Sequence, residues 1–387
     1  MLSSHTISTT DTFLKITFMI ASISYSCPDQ KFWIEYTELW ANSIHRPVFK
    51  SPHYVQFLAK KYEGSVAIYR FYREGKLKGA SFFIKDGSEY RMMTDIKADH
   101  NFFVLHKDLT QEDIANFIKG LLAEIKKEHW ALSMHVQPAW ASYMGTFEKM
   151  ASTSGLFFDI AQHSVCPVLE EATAKDLYDK LNSSRELRYR VSRIKSQLNG
   201  EFEILTGDED LDNWVQKFCR LHQKRWEDSG TPSRYADEQS QQFLKNCLQA
   251  WADDKTLVRF SVKVGGERIA FVICLLQQNR IIHHSTAYDD EYYKYSPGKA
   301  LILTIGQWML DHGLNILDFG EGAEPYKYAY TNKELALNQI SISSYANLPF
   351  ILKVKIRKTL RKKIVKNPGL KKFYNEKIRP LTQKVKA

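Results

Sequence analysis

The chain has 387 residues and a net charge of +10, from 54 Lys and Arg against 44 Asp and Glu. With 44% hydrophobic and 13% aromatic residues it is not a disordered chain, and its length gives two domains or one large one, each able to bury a core. The charge is uneven: residues 351–387 hold 14 Lys and Arg against one acid, Glu376, a local +13 that leaves −3 for the first 350 residues. A slightly acidic body excludes a protein that coats nucleic acid with its folded surface.

Five cysteines, Cys27, Cys166, Cys219, Cys247 and Cys274, lie far apart. An odd, scattered set is neither a disulfide framework nor a zinc pattern, and it fits small buried side chains in a reducing cytoplasm. No run approaches the roughly 20 apolar residues of a membrane span. Residues 13–23 come nearest, but Lys15, Thr17 and Ser22 interrupt them, and Lys15 is the only positive charge of a poor signal-peptide pattern. Residues 1–25 read as an extension, with Met19 an alternative start.

The pattern of residues 26–164 mixes strands and helices. Two β-rich runs, 66–72 and 78–84, flank the turn residues Arg73, Glu74, Gly75 and Lys76, a hairpin signal. Ile114, Phe117, Ile118, Leu121, Leu122 and Ile125 share one face of a helix over 111–127. A strand at 131–136 and a helix at 143–152 follow. A second unit, 165–345, opens near Cys166. Its helix 184–198 has Leu187, Val191, Ile194 and Leu198 on one side and Arg185, Arg188, Arg190, Arg193 and Lys195 on the other. A longer helix over 208–226 precedes a hairpin, 257–264 and 268–276, turning at Gly265-Gly266. A strand at 280–288 comes next. Ser296 is placed to cap a helix that starts at Pro297 and stops at His312-Gly313. Residues 315–319 form the next strand, so strand, helix and strand with short joins give two parallel strands. A last strand, 336–343, precedes a tail at 346–387. The whole is an α/β protein.

Three places carry candidate chemistry. The helix start at Ser296, Pro297, Gly298 and Lys299 offers free N–H groups, close backbone approach and a cation, which suits a phosphate or pyrophosphate; the same residues also make an ordinary capped helix. In the stretch from Asp318 to Lys327, polar groups gather at the C-terminal end of a strand. There Glu324 can act as a base, Tyr326 as a proton donor and Lys327 as an anion clamp, or all three can belong to a solvated turn. His222 shares a helical stripe with Leu211, Val215 and Phe218, which Arg225 continues; such a His is either a core residue or one that reaches a cleft. His283 and His284 lie mid-strand and face opposite sides. No third ligand stands at metal spacing, so no metal is expected. No nucleophile elbow or Cys/His context is present, so direct transfer fits better than covalent catalysis.

These residues, in this order, are similar to the CelD/BcsL-type acetyltransferases of the GNAT superfamily, associated with bacterial exopolysaccharide and cellulose loci. The basic helix from Ser184 to Arg193 carries the resemblance, with Leu221-His222 and Arg225-Trp226 of a Leu-His-x-x-Arg-Trp signature and the hairpin residues 265–270. Ser296-Pro297-Gly298, Asp318-Phe319-Gly320 and Glu324-Pro325-Tyr326-Lys327 complete it. It covers residues 165–345 well and the preceding half more loosely. Ala323 departs from it, standing where the family carries an acid, and the usual GNAT Gln/Arg-x-x-Gly-x-Gly/Ala loop is missing.

The resemblance implies tandem GNAT-like domains, each a mixed β-sheet flanked by helices, the second being catalytic. It implies an acyl-CoA donor, acetyl-CoA in the first instance, with no metal, held at Ser296 to Lys299. The oxyanion would meet a backbone N–H of residues 283–287, Glu324 or His222 would take the proton and Tyr326 would protonate the thiolate. Arg225, Trp226, His284, Asp318 and Lys327 would contact substrate. The expected acceptor is an amino sugar or related amine in surface-polysaccharide synthesis. Fem-type aminoacyltransferases, which take aminoacyl-tRNA, give one alternative, and a non-catalytic scaffold at the membrane another. No nucleic acid is expected unless the donor is a tRNA. The tail alternates apolar residues with its cations, as a cytoplasmic membrane-surface helix does, or a solvated terminal helix.

Overall fold

The computed structural model describes residues 19–25, 28–95, 98–226 and 233–366. The first half comprises β1 (Met19–Ser24), α1 (Gln30–Ala41), α2 (Pro52–Lys61), β2 (Val66–Arg73), β3 (Lys76–Asp86), β4 (Glu89–Met92), β5 (Val104–Leu105), α3 (Gln111–Lys127), β6 (Ala131–Pro138) and α4 (Met144–Thr153). The second comprises β7 (Phe157–Glu170), α5 (Ala174–Ser183), α6 (Arg185–Leu198), β8 (Glu201–Thr206), α7 (Leu211–Trp226), α8 (Glu238–Asp253), β9 (Leu257–Val264), β10 (Glu267–Gln277) and β11 (Arg280–Tyr288). It closes with α9 (Pro297–Asp311), β12 (Ile316–Asp318), β13 (Lys333–Ser343) and α10 (Leu348–Lys366).

The expected α/β fold with a mixed sheet is what the chain adopts, but the strands of both halves join in one sheet. Its order is β1-β2-β3-β4-β6-β13-β7-β12-β11-β10-β9-β8, with β5 on β3. The join is made by β13, which runs antiparallel to β6 on one side and to β7 on the other. The last of the described strands is therefore central, buried between the halves, although the sequence places it beside the tail. Residues 19–24, read as part of an extension, form the edge strand β1 on β2.

Local signals explain the elements. Thr110 and Asp113 close a capping box at the start of α3, and its apolar stripe from Ile114 to Ile125 is buried. Ser184 caps α6 through Leu187 N. Ser296 departs from its expected role: it adopts a left-handed conformation (φ 51°) and makes no side-chain cap at α9, and its hydroxyl donates to the Tyr293 carbonyl instead (3.4 Å). Cys166, Cys219, Cys247 and Cys274 are free and buried, as expected; Cys27 lies outside the described residues.

One face of the sheet carries a core common to both halves, where Phe32, Phe49 and Tyr54 share a cluster with Trp214, Phe218 and Trp251. The other face carries two cores, one under α3 and α4 and one under α5, α6 and α9. Apolar burial of this extent, at about 25 cal/mol per Å², is what holds the halves in one orientation. No helix among the described residues is long and apolar enough to cross a membrane.

Candidate active site

The site lies where two parallel strands part. β11 and β12 pair over three positions, Arg280 with Ile316, Ile281 with Leu317 and Ile282 with Asp318. β12 ends there, while β11 continues to Tyr288 along β10. The chain after β12 stays with β7, through Phe319 N to the Pro167 carbonyl (3.0 Å) and Gly322 N to the Val165 carbonyl (2.9 Å). Among the described residues, no strand pairs with that edge of β11 from His283 onward, and a fork opens. Ser285 faces Ile273 and His283 faces Cys274, so His284 is an extra residue, a β-bulge at the fork. A bulge redirects a side chain and leaves backbone groups unpaired.

The carboxylate of Asp99, from the loop between β4 and β5, spans this fork. One oxygen meets His284 Nδ1 (2.7 Å), and the other accepts from Glu321 N (2.8 Å) on the opposite arm. The packing requires glycine at position 320: its φ is +69°, and a Cβ there would lie 2.5 Å from Asp99 Oδ1. The His284 ring is flanked by Phe49 and Trp251. Because Asp99 can only accept from Nδ1–H, the lone pair of the neutral ring lies on Nε2, the arrangement of a proton acceptor. His283 faces the other side, against Phe319, and burial lowers its pKa from 6.5 to about 4. The two histidines do face opposite ways, as the sequence indicates.

Below the fork, Asp318 is fully buried. Its carboxylate receives Arg280, His100 Nε2 (3.2 Å) and Gly320 N (2.7 Å). Although burial alone would raise it, His100 and Arg280 hold this carboxyl far below the usual range. Asp318, expected to touch substrate, is thus occupied in fixing the end of β12. Cys166 Sγ lies 3.4 Å from His100 Nε2. By distance, His100, Cys166 and Asp318 form a set that can hold a metal ion. In this structure the Arg280 guanidinium pairs with Asp318 of the same set.

Lys327, expected as an anion clamp, is buried and turned inward. Its ammonium donates to the carbonyls of Glu321 (2.9 Å), Gly322 (3.2 Å) and Gly320 (3.4 Å) and pairs with Glu324 (2.8 Å). It locks the 320–324 turn. Glu324 is 54% exposed in this pair. Tyr326 is partly exposed, and desolvation with the Glu324 charge pushes its hydroxyl up to about 12, so it stays protonated. Glu321 is raised by burial and by Asp99.

His222 is buried on α7, bonded to Ser233 Oγ (2.8 Å) with its ring against Trp226 and Tyr235. Arg225 lies over the Tyr288 ring at the end of β11, 4.5 Å away. Its charge opposes the rise at Tyr326.

The start of α9 borders the other side. A Cβ on Gly298 would sit 3.5 Å from Thr286 and 3.9 Å from Tyr288. Lys299 N and Ala300 N both turn back to the Ser296 carbonyl. Lys299 Nζ is held by Glu186 of α6 (2.8 Å). Arg190 and Arg193 of α6 donate to the Lys294 carbonyl (3.1 and 3.3 Å), which brings the basic helix against the loop before α9. Of the residues expected to hold a phosphate, Lys299 is thus engaged by Glu186, and the basic helix lies beside them. Asp99, His100 and Arg280 were not foreseen. The polar run Asp99-His100-Asn101 before the apolar residues 102–105 was the available signal, and nothing in it points to a strand 185 residues away.

Residues 182–328 match the family model of the acetyltransferase (GNAT) domain, the CelD/BcsL-type family that the motifs resemble, so this part of the chain is a GNAT acetyltransferase domain. Among solved structures, FemX is similar with a TM-score of 0.59 at 10% identity, over 83% of this chain and 96% of that one. A conserved protein of unknown function from Bacteroides thetaiotaomicron VPI-5482 is similar with a TM-score of 0.55 at 12% identity, over 84% of this chain and 100% of that one. At these identities the likeness is one of fold. The comparison with curated proteins gives no match.

Proposed function

We propose that this acyltransferase moves an acyl group, acetyl in the simplest case, from acyl-CoA to the amine of an amino sugar or related precursor of cell-surface polysaccharide. The observation that carries the reaction is the Asp99 carboxylate bridging the two arms of the fork, with His284 on one of them. In this reading the donor's pyrophosphate lies at the start of α9, near Gly298 and the cations of α6, and its thioester enters the fork. A backbone N–H of β11 between His283 and Ala287 meets the developing oxyanion.

The amine nitrogen attacks the thioester carbonyl, a C–N bond forms and the C–S bond breaks. The proton lost by the ammonium goes to His284 Nε2, and the thiolate takes a proton from the Tyr326 hydroxyl, which solvent restores. His284 is preferred here over Glu324, which is paired with Lys327, and over His222, which is buried against Trp226 and Tyr235. Positioning in the fork supplies part of the acceleration, for which effective molarity alone is worth up to ~7–11 kcal/mol.

The test is acetyl-CoA binding by thermal shift, then thiol release with a panel of amino sugars. Donor at 100 times its Kd adds ~2.7 kcal/mol of stability. No stabilisation by any acyl-CoA, with turnover of aminoacyl-tRNA, would overturn the donor assignment. Acetyl-CoA turnover with simple amines but no amino sugar would overturn the acceptor.

A further inference from the structure

We propose that the outward face of α10 docks on an anionic lipid bilayer. The inner face of this helix is fixed to the body. Phe350 and Val354 are buried against Ala131 and Phe157, and Ile351 is buried beside them. Lys353 pairs with Glu89 (2.6 Å), Lys358 with Asp159, and Arg361 donates to the His163 carbonyl (3.3 Å). The helix therefore has a defined outward face.

That face is apolar. Leu348, Leu352, Ile356 and Leu360 recur at every fourth position and are 67%, 59%, 50% and 53% exposed. At about 100° per residue, their ridge is centred about 180° from the buried residues. A helix lying on a soluble body normally turns charged residues outward, and a continuous outward row of large aliphatic side chains marks a contact surface. Lys355 and Arg357 lie on opposite flanks of the ridge, and neither has an acidic partner among the described residues. Residues 351–366 hold eight Lys and Arg and no acid.

Two exposed tyrosines stand near the first turn. Tyr345 is 61% exposed, and Tyr25 is 50% exposed with its ring edge-on to Trp130 at 6.5 Å. The Trp130 carbonyl accepts from Ser344 N (3.4 Å), which places both beside the start of α10. Tyrosine is suited to the boundary between acyl chains and water.

An apolar ridge flanked by cations, with tyrosines at one end, fits a lipid surface carrying negative charge. A nucleic acid would use the cations and leave the ridge in water. A second copy of α10 would bring eight positive charges against eight.

The test uses the full chain and sedimentation with vesicles of phosphatidylcholine alone or with about 30% phosphatidylserine. Binding to the mixed vesicles should be at least about tenfold stronger and fall at about 0.5 M salt. Leu352→Glu with Ile356→Glu should reduce it about tenfold or more at an unchanged melting temperature, since both side chains are exposed. Lys355→Glu with Arg357→Glu should weaken binding and flatten its salt dependence. The proposal is overturned if the wild-type chain binds neither vesicle, or if the Leu352/Ile356 variant binds as well as wild type. It is equally overturned if that variant retains a tight affinity for duplex DNA that displaces vesicles, or if it abolishes a dimer formed by the wild type.

Discussion

Asp99→Asn separates the role of the fork from its shape. Asp99 makes two contacts, His284 Nδ1 at 2.7 Å and Glu321 N at 2.8 Å. Glu321 N can only donate, so the new amide must keep its oxygen there. Its NH2 group then faces His284 Nδ1, which must become an acceptor, and the ring proton moves to Nε2. The volume is unchanged, but Nε2, the proposed proton acceptor, now carries the ring proton. General base catalysis contributes about 10²–10⁴-fold, and a change of this kind in a Ser-His-Asp triad reaches about 10⁴-fold. The expected loss in kcat is therefore about 10²–10⁴-fold, or ~3–5 kcal/mol. Both hydrogen bonds survive in altered form, so stability should fall by only about 1 kcal/mol. Donor affinity should hold, because the start of α9 is untouched. The assay is thiol release from acetyl-CoA with the accepted amine, beside thermal melts with and without donor. His284→Ala should lose as much, and the double variant no more than either, since the two act as a unit. A wild-type kcat in Asp99→Asn, or additive losses in the double variant, would show that Asp99 and His284 do not act as one base.

Other expectations follow from the same geometry. His283 and His45 are held neutral, each at about 4, by burial; His45 Nε2 also accepts from Ser142 N (3.1 Å). Both pKa values lie below the ordinary 6.5, so the unfolded chain binds more protons between pH 4 and 6.5, and stability falls as pH drops through that window. His283→Leu should reduce the loss between pH 7 and 4.5 by about 2 kcal/mol, measured by denaturant melts at both; an unchanged loss would show that His283 is not buried neutral. Asp318→Ala leaves Arg280 without its carboxylate and should cost about 3–5 kcal/mol, seen as a large fall in melting temperature. Gly320→Ala combines a left-handed φ with a Cβ against Asp99, and should lower both stability, by about 1–3 kcal/mol, and kcat. Tyr326→Phe should lower kcat while leaving the melting temperature within about 2 °C, as the residue is 45% exposed.

Much of the local structure was written in the residues themselves. The stripe from Ile114 to Ile125 made α3, Pro297 and Gly313 bounded α9, and the short joins around it required β11 and β12 to be parallel. These are near-neighbour effects of period, capping and turn chemistry, which act within a few residues. The family motifs, too, are short and contiguous, and they located the start of α9 and the turn at 318–327.

The tertiary structure decided which of those residues meet and what they do. Lys327 looked free to clamp an anion, but the turn at 320–324 wraps its carbonyls around it. Asp318 looked like a ligand to substrate, but Arg280 and His100 close on it from β11 and from the first half. His284 acquired a partner only because β13 returns to the middle of the sheet and joins the halves, bringing the Asp99 loop across the fork. The uneven charge was plain in the composition, whereas the outward apolar ridge of α10 became visible only when the opposite side of the helix was seen to be buried. Pairings between residues about 200 positions apart depend on the route of the whole chain, and hydrophobic period along a single segment carries no record of that route.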